Sequence, residues 1–146
     1  VRFPMRTTRR AFAKLNLALS VGPALPPGDP HAGMHPIASW MHAIDLCDTV
    51  DIEPLGGGTS AYQVVCEAPA GAVDWPPDKD LGVRAHRLVQ KHIGRELPVR
   101  LGIAKRIPAG GGMGGGSSDA AAVMLGLNEA FDRLAEGQTI RQVLML

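Results

Sequence analysis

The sequence predicts an α+β domain, and three observations carry that prediction. Apolar residues alternate at 11–21 and at 98–105, the two-residue period of a strand with one buried face. Residues 81–94 repeat instead at helical spacing. Between the second alternating stretch and another helical one lies a run with six glycines in seven positions, Gly110 to Gly116. Strands, then helix, strand, glycine loop and helix is not a regular βαβ alternation, so the class is α+β.

Each element has its own signal. In 11–21, Leu15, Leu17, Leu19 and Val21 share one face, expected to be buried, while Lys14, Asn16, Ala18 and Ser20 share the other. Residues 22–36 are rich in Pro and Gly and read as a loop. Residues 37–46 and 49–54 read as two strands split near Cys47 and Asp48. Gly56 to Ser60 is a turn leading to a partner strand at 61–67. Pro69, Pro76 and Pro77 make 68–79 a loop. In 81–94 the packing face is Leu81, Ala85, Leu88, Val89 and His92, and Gly94 stops the helix. Val99, Leu101 and Ile103 alternate in the strand at 98–105. A helix is expected over about 118–132, capped by Ser117, Ser118 or Asp119, and another begins at 138–146.

Composition excludes several function classes. The net charge of +1 lacks the basic surplus that broad nucleic-acid binding needs, and 4% aromatic residues leave little for base stacking. No run of 18 apolar residues occurs, so no membrane span is expected. Arg2, Arg6, Arg9 and Arg10 precede a partly apolar stretch, but Lys14, Asn16 and Ser20 interrupt it, so export is not expected. Cys47 and Cys66 lack metal or redox spacing and read as reduced thiols of a cytoplasmic protein.

The glycine run carries the chemistry. Without Cβ atoms its backbone can approach a ligand, and successive amides can converge on phosphate oxygens. It opens into a helix, whose free amides and dipole attract anions. Gly110, Gly112 and Gly115 also match the dinucleotide pattern G-x-G-x-x-G, but no strand ending in an acidic residue follows about 20 residues on. No Lys follows the last glycine, so it is not a Walker A loop, and the other signatures of a protein kinase are absent. A flexible linker is the bland alternative.

The segment Lys105-Arg106-Ile107-Pro108-Ala109-Gly110-Gly111-Gly112-Met113-Gly114-Gly115-Gly116-Ser117-Ser118-Asp119-Ala120-Ala121 resembles the ATP loop of the GHMP kinases, the superfamily of galactokinase, homoserine kinase, mevalonate kinase and phosphomevalonate kinase. Its doubled Gly-Gly-Gly is similar to the form found in the diphosphocytidyl-methylerythritol kinase branch. Ala13-Lys14-Leu15-Asn16-Leu17 resembles that branch's first strand, Gly33-Met34-His35 its Gly-Tyr-His substrate loop, and Asp45 to Val50 its Asp-Tyr-x-Asp segment. All four blocks fall in family order.

The resemblance implies a ribosomal protein S5 domain 2-like fold over residues 1–146, incomplete, with a second, ferredoxin-like domain absent. It implies transfer of phosphate from ATP, with Mg²⁺, to the 2-hydroxyl of a cytidine diphosphate-linked methylerythritol in isoprenoid precursor synthesis. Lys14 matches the catalytic Lys; its ammonium would lower the pKa of the substrate hydroxyl and offset charge on the moving phosphoryl group. Asn16 shares its strand face, and His35 matches the His that contacts cytosine. Pro108, Ala109, Gly110, Gly111, Gly112, Met113, Gly114, Gly115, Gly116, Ser117 and Ser118 match the nucleotide-binding loop, with Ser117 placed toward the metal. Asp80-Leu81 resembles a segment near the adenine, with Asp where Asn is usual. Lys105 and Arg106 are expected to add positive potential beside the triphosphate. Met34 stands in place of the family's Tyr. The family's catalytic Asp lies in a Gly-x-Asp-x-Pro segment that these residues do not contain, so the 146 residues alone are expected to turn over weakly or not at all. Another branch of the superfamily, or a nucleotide-binding module without catalysis, remains an alternative.

Overall fold

The computed structural model describes residues 5–72 and 74–131. In chain order these form β1 (Thr7–Val21), β2 (Ile37–Pro54), β3 (Ala61–Cys66), α1 (Leu81–Ile93), β4 (Val99–Lys105) and α2 (Gly115–Ala130), with a short 3₁₀ turn at Pro77–Lys79 before α1. The strands form one mixed sheet in the order β1-β2-β4-β3. β1 and β4 each run antiparallel to β2, and β3 runs parallel to β4.

The core lies between the sheet and the two helices. Ala11 from β1, Val50 and Ile52 from β2 and Val99, Leu101 and Ile103 from β4 meet Val83 of α1 and Val123 and Leu127 of α2. Each buried Val, Leu or Ile contributes about 1.5–3 kcal/mol relative to exposure. The alternation in β4 therefore has the expected cause, and it continues one step further to bury Lys105. α1 is held at both ends by its own sequence. The Asp80 carboxylate accepts the Gly82 amide at 2.8 Å, and Gly94 closes the helix in the left-handed region at φ 65°.

Several expectations need correction. β1 begins at Thr7, because cross-strand partners satisfy its polar start: Arg6 and Thr8 bond Asp51, and Arg9 pairs with Glu129 of α2 at 2.8 Å. β2 is one strand; a bulge, rather than a break, takes up the extra residues between Ala43 and Cys47 opposite Phe12–Lys14. β3 does not pair with β2 through the glycine turn but crosses over through α1 to lie parallel to β4.

The face of Leu15, Leu17, Leu19 and Val21 is exposed, at 43–58%, because β1 and β2 run on together beyond the helices as a two-stranded ribbon. The buried β1 positions are Ala11 and Ala13. Helix α1 turns Gly82, Val83, Ala85 and His86 inward, leaving Leu81, Leu88 and His92 exposed. The helix expected at 138–146 lies outside the described residues, as does the end of the one placed at 118–132. Among the described residues, no helix is long and apolar enough to cross a membrane. Cys47 and Cys66 are unpaired.

Candidate functional site

The glycine run is a true loop between β4 and α2, and it encloses space. Residues Ile107 to Ser117, with Trp75, Lys79, Asp80, Leu81 and Lys105, line a cavity of about 280 Å³. Gly110, Gly112 and Gly114 all take positive φ, between 69° and 74°, which turns the backbone back on itself three times. Gly114, at φ 72°, is the N-cap of α2, so the helix starts at Gly115 and not near Ser118. Among the described residues no side chain caps it. Ser118 donates its amide to Gly114 O at 2.9 Å, within the helix itself. Ser117 and Ser118 therefore lie inside the first turn. The helix start depends on glycine backbone conformation, which frees the Ser117 hydroxyl and the first-turn amides to face the cavity.

Lys14 adjoins this loop. Its backbone amide donates to Met113 O at 3.0 Å, joining β1 to the loop main chain. A Cβ added at Gly114 would come 3.3 Å from Lys14 Cγ. Along the ribbon, Lys14 Nζ donates to Asn16 Oδ1 at 2.5 Å. Asn16 Nδ2 donates to Ser39 Oγ at 3.0 Å, and Ser39 in turn donates to Ala18 O. Lys14, Asn16 and the glycine loop thus meet. His35 does not join them. Its Nδ1 donates to Gly22 O at 2.8 Å, at the far end of the ribbon, six residues or roughly 20 Å of strand from Asn16. Met34 is 61% exposed there.

Beneath the loop lies a charge cluster whose form the sequence did not disclose. Lys105 is 4% exposed and reaches Asp48 Oδ2 at 2.7 Å and Asp119 Oδ2, and both Asp side chains are fully buried. Asp48 Oδ1 accepts the backbone amides of Arg106 and Ile107 at 2.5 and 2.7 Å. Asp119 therefore caps no helix. Burial and hydrogen bonding also take Lys105 away from the role of a free cation beside a triphosphate. Burial pulls the Lys105 ammonium down, but its bonds to Asp119 and Asp48 outweigh this and leave it above its ordinary value. One ammonium serves two carboxylates, and only Asp48 has amides in addition. Among the described residues Asp119 Oδ1 has no partner. Burial accordingly pushes the Asp119 carboxyl up to about 7, against the pull of Lys105, and the charges of Asp48 and Asp80 add to the rise. Trp75 and Lys79 also line the cavity without having been singled out; they sit in a Pro-rich loop with no local pattern to mark them.

A strand, a positive-φ glycine loop and a helix start enclose this cavity. Residues 80–145 match the model of the GHMP kinases N terminal domain, and the fold is that of this domain. Over most of this chain the sequence is similar to proteins that carry one name. Over 146 residues the chain is 38% identical to a 4-diphosphocytidyl-2-C-methyl-D-erythritol kinase of Thermobifida fusca, covering 97% of this chain and 45% of that protein. A protein of the same name from Neisseria meningitidis is 41% identical over 82% of this chain and 40% of its own length. A crystal structure of 4-(cytidine 5'-diphospho)-2C-methyl-D-erythritol kinase superimposes with a TM-score of 0.69 at 31% identity, covering 94% of this chain and 46% of that one. Homoserine kinase from Cytophaga hutchinsonii shares the fold, with a TM-score of 0.62 at 14% identity over 94% of this chain and 40% of its own. The chain thus spans less than half the length of the curated relatives it matches.

Proposed function

We propose that the protein is an ATP-dependent kinase acting on the 2-hydroxyl of 4-diphosphocytidyl-2-C-methyl-D-erythritol. The proposal concerns the activity of the whole protein. The observation that carries it is the attachment of Lys14 to the glycine loop through the Met113 carbonyl. That contact sets a flexible cation beside a ready-made anion cradle, the pairing that phosphoryl transfer uses. The branch named by the relatives supports the substrate.

The cavity fits a nucleotide's phosphates on physical grounds. Three positive-φ turns and an uncapped helix start present amides with few intrachain partners. Pro108 to Ser118 would hold the phosphate tail, and Asp80, Leu81 and Trp75 line the rest of the space. Among the described residues no cluster of acidic, His or Cys side chains could hold a metal ion unaided. Mg²⁺ would arrive with ATP, held by phosphate oxygens and the exposed Ser117 hydroxyl, and would supply charge neutralisation. Lys14 would offset the negative charge that builds on the substrate oxygen as the γ-phosphoryl group passes to it from ADP, the hydroxyl proton leaving to solvent or to the transferred phosphoryl oxygens. Asn16 accepts from the Lys14 ammonium, and the second hydrogen of its Nδ2, beyond the one given to Ser39, would be available to the same substrate. His35, bonded to Gly22 O at the ribbon's far end, would meet the cytidine end of a long substrate. The free thiols support a reducing compartment, the cytoplasm.

Lys14→Ala in the whole protein tests this reading. Turnover is expected to fall by about 10²–10⁴-fold, with ATP affinity kept within a few-fold. An unchanged rate removes Lys14 from the chemistry. Turnover of mevalonate or homoserine but not of the cytidine compound would move the protein to another branch.

A further inference from the structure

The buried Asp48–Lys105–Asp119 cluster has no obvious place at the base of a polyanion site. It contains two carboxylates and one ammonium, and Asp80, 3% exposed, adds another buried carboxylate on the same cavity. Its one ammonium is already engaged by two carboxylates, so the cluster offers phosphate no free positive charge. Nor is stability a sufficient reason, because apolar residues of similar volume often serve a core as well as a buried ion pair or better. Asp119 Oδ1, buried and unpartnered among the described residues, makes the arrangement costlier still.

The connections of the cluster give a different reason. Asp48 stands on β2 and grips the loop where it begins, through the amides of Arg106 and Ile107. Asp119 stands on α2, five residues past Gly114, where the loop ends. Lys105 Nζ joins the two carboxylates. The intervening loop is mostly glycine, the residue type that loses most conformational entropy on ordering.

We propose that Asp119 is a positioning residue, and that the Asp48–Lys105–Asp119 bridge clamps both ends of the glycine loop so that its amides are aimed before a nucleotide arrives. This rests on reading the loop as a phosphate cradle. It makes a prediction opposite to simple electrostatics: removing the Asp119 side chain, and with it the oxygen that Lys105 holds, weakens nucleotide binding although a negative charge goes with it.

The test uses Asp119→Ala and Asp119→Asn in the whole protein, with a non-hydrolysable ATP analogue followed by calorimetry. Both variants leave Asp48 and Lys105 as a balanced pair. Asn keeps an oxygen for Lys105, whereas Ala keeps none. The Ala variant is expected to melt within about 5 °C of the unaltered protein, yet to bind the analogue about 10-fold more weakly. The Asn variant should restore affinity to within about 3-fold. Without nucleotide, hydrogen exchange at the Lys14 and Ser118 amides, which bond Met113 O and Gly114 O, should quicken about 10-fold in the Ala variant, while the Val50 and Leu101 amides hold. Asp119→Ser, too short to reach Lys105, replaces the Ala variant if that one does not fold. Unchanged or tighter binding with unchanged exchange overturns the proposal, as does equal weakening by Ala and Asn. If the unaltered protein does not bind the analogue, the cradle reading fails instead, and exchange at Lys14 and Ser118 alone decides whether the clamp exists.

Discussion

Gly114 combines two requirements that a side chain would bring into conflict. Its φ of 72° starts α2, and its missing Cβ leaves room for Lys14 Cγ. Gly112, at φ 69°, meets only the first requirement, since a Cβ there would point into open space. The two positions should therefore respond differently. Gly112→Val is expected to cost about 1–2 kcal/mol of loop strain, weakening ATP binding by about 10-fold. Gly114→Val adds displacement of Lys14, so turnover should fall well beyond the loss of affinity. Calorimetry with ATP and steady-state rates on the same preparations separate the two effects; equal losses in both variants would contradict the contact between Gly114 and Lys14. The glycines were legible in the sequence because their use is local. The start of α2 at Gly115 and the pairing of Asp119 with Lys105 were not, since a serine or aspartate near a helix start reads as a cap unless a glycine has already set where the helix begins.

At the scale of elements, α1 and α2 are placed by close approach. A Cβ at Gly82 would lie 2.5 Å from Ile103 Cδ1 and 3.3 Å from Val123 Cγ2. Gly82→Ala should force α1 away from β4 and α2 and destabilise the domain by about 1–3 kcal/mol. A lowered urea midpoint with an unchanged slope would show it, and no change would mean that Ile103 repacks freely. Much of the element pattern was readable in advance. The period of β4, the extent of α1 and its Gly94 stop follow from neighbours within a few residues. What escaped depends on distant partners. Thr7–Arg10 joins β1 only because Asp51, Asp45 and Glu129 wait across the sheet and on α2. The choice of β4 over β2 as neighbour of β3 is settled by a crossover of more than 30 residues. The alternation of Leu15 to Val21 correctly marks a strand, yet period alone cannot say whether anything covers it.

Across the whole molecule, one buried histidine sets a response to acid. His86 is fully buried: Tyr62 Oη donates to its Nδ1 at 3.0 Å, and its Nε2 donates to Leu97 O at 2.9 Å, joining α1 to β3 and to the entry of β4. Burial holds its pKa below the ordinary 6.5. Above 6.5 both folded and unfolded chains carry it neutral. Below 6.5 the unfolded chain takes up a proton that the folded one refuses, so this contribution to stability is lost as pH falls through that window. Asp119 acts in the opposite sense: its raised folded pKa means stability lost as pH rises from about 4 toward 7. The unaltered protein should therefore show a shallow profile. His86→Gln, which costs about 1–2 kcal/mol at pH 7.5, should remove the histidine's share. Its deficit relative to the unaltered protein should shrink between pH 7.5 and 5.5 in urea titrations, and a constant deficit would refute the assignment.

The joint between β1 and the glycine loop is made of main chain, Lys14 N–H to Met113 O. Evolution can therefore exchange the side chain at position 113 without loosening the joint, as long as the carbonyl stays aimed. A proline at position 14 would sever it. The alignment of cation and cradle is in this sense inherited by the backbone, and variation at residue 113 remains available for tuning what the cavity admits.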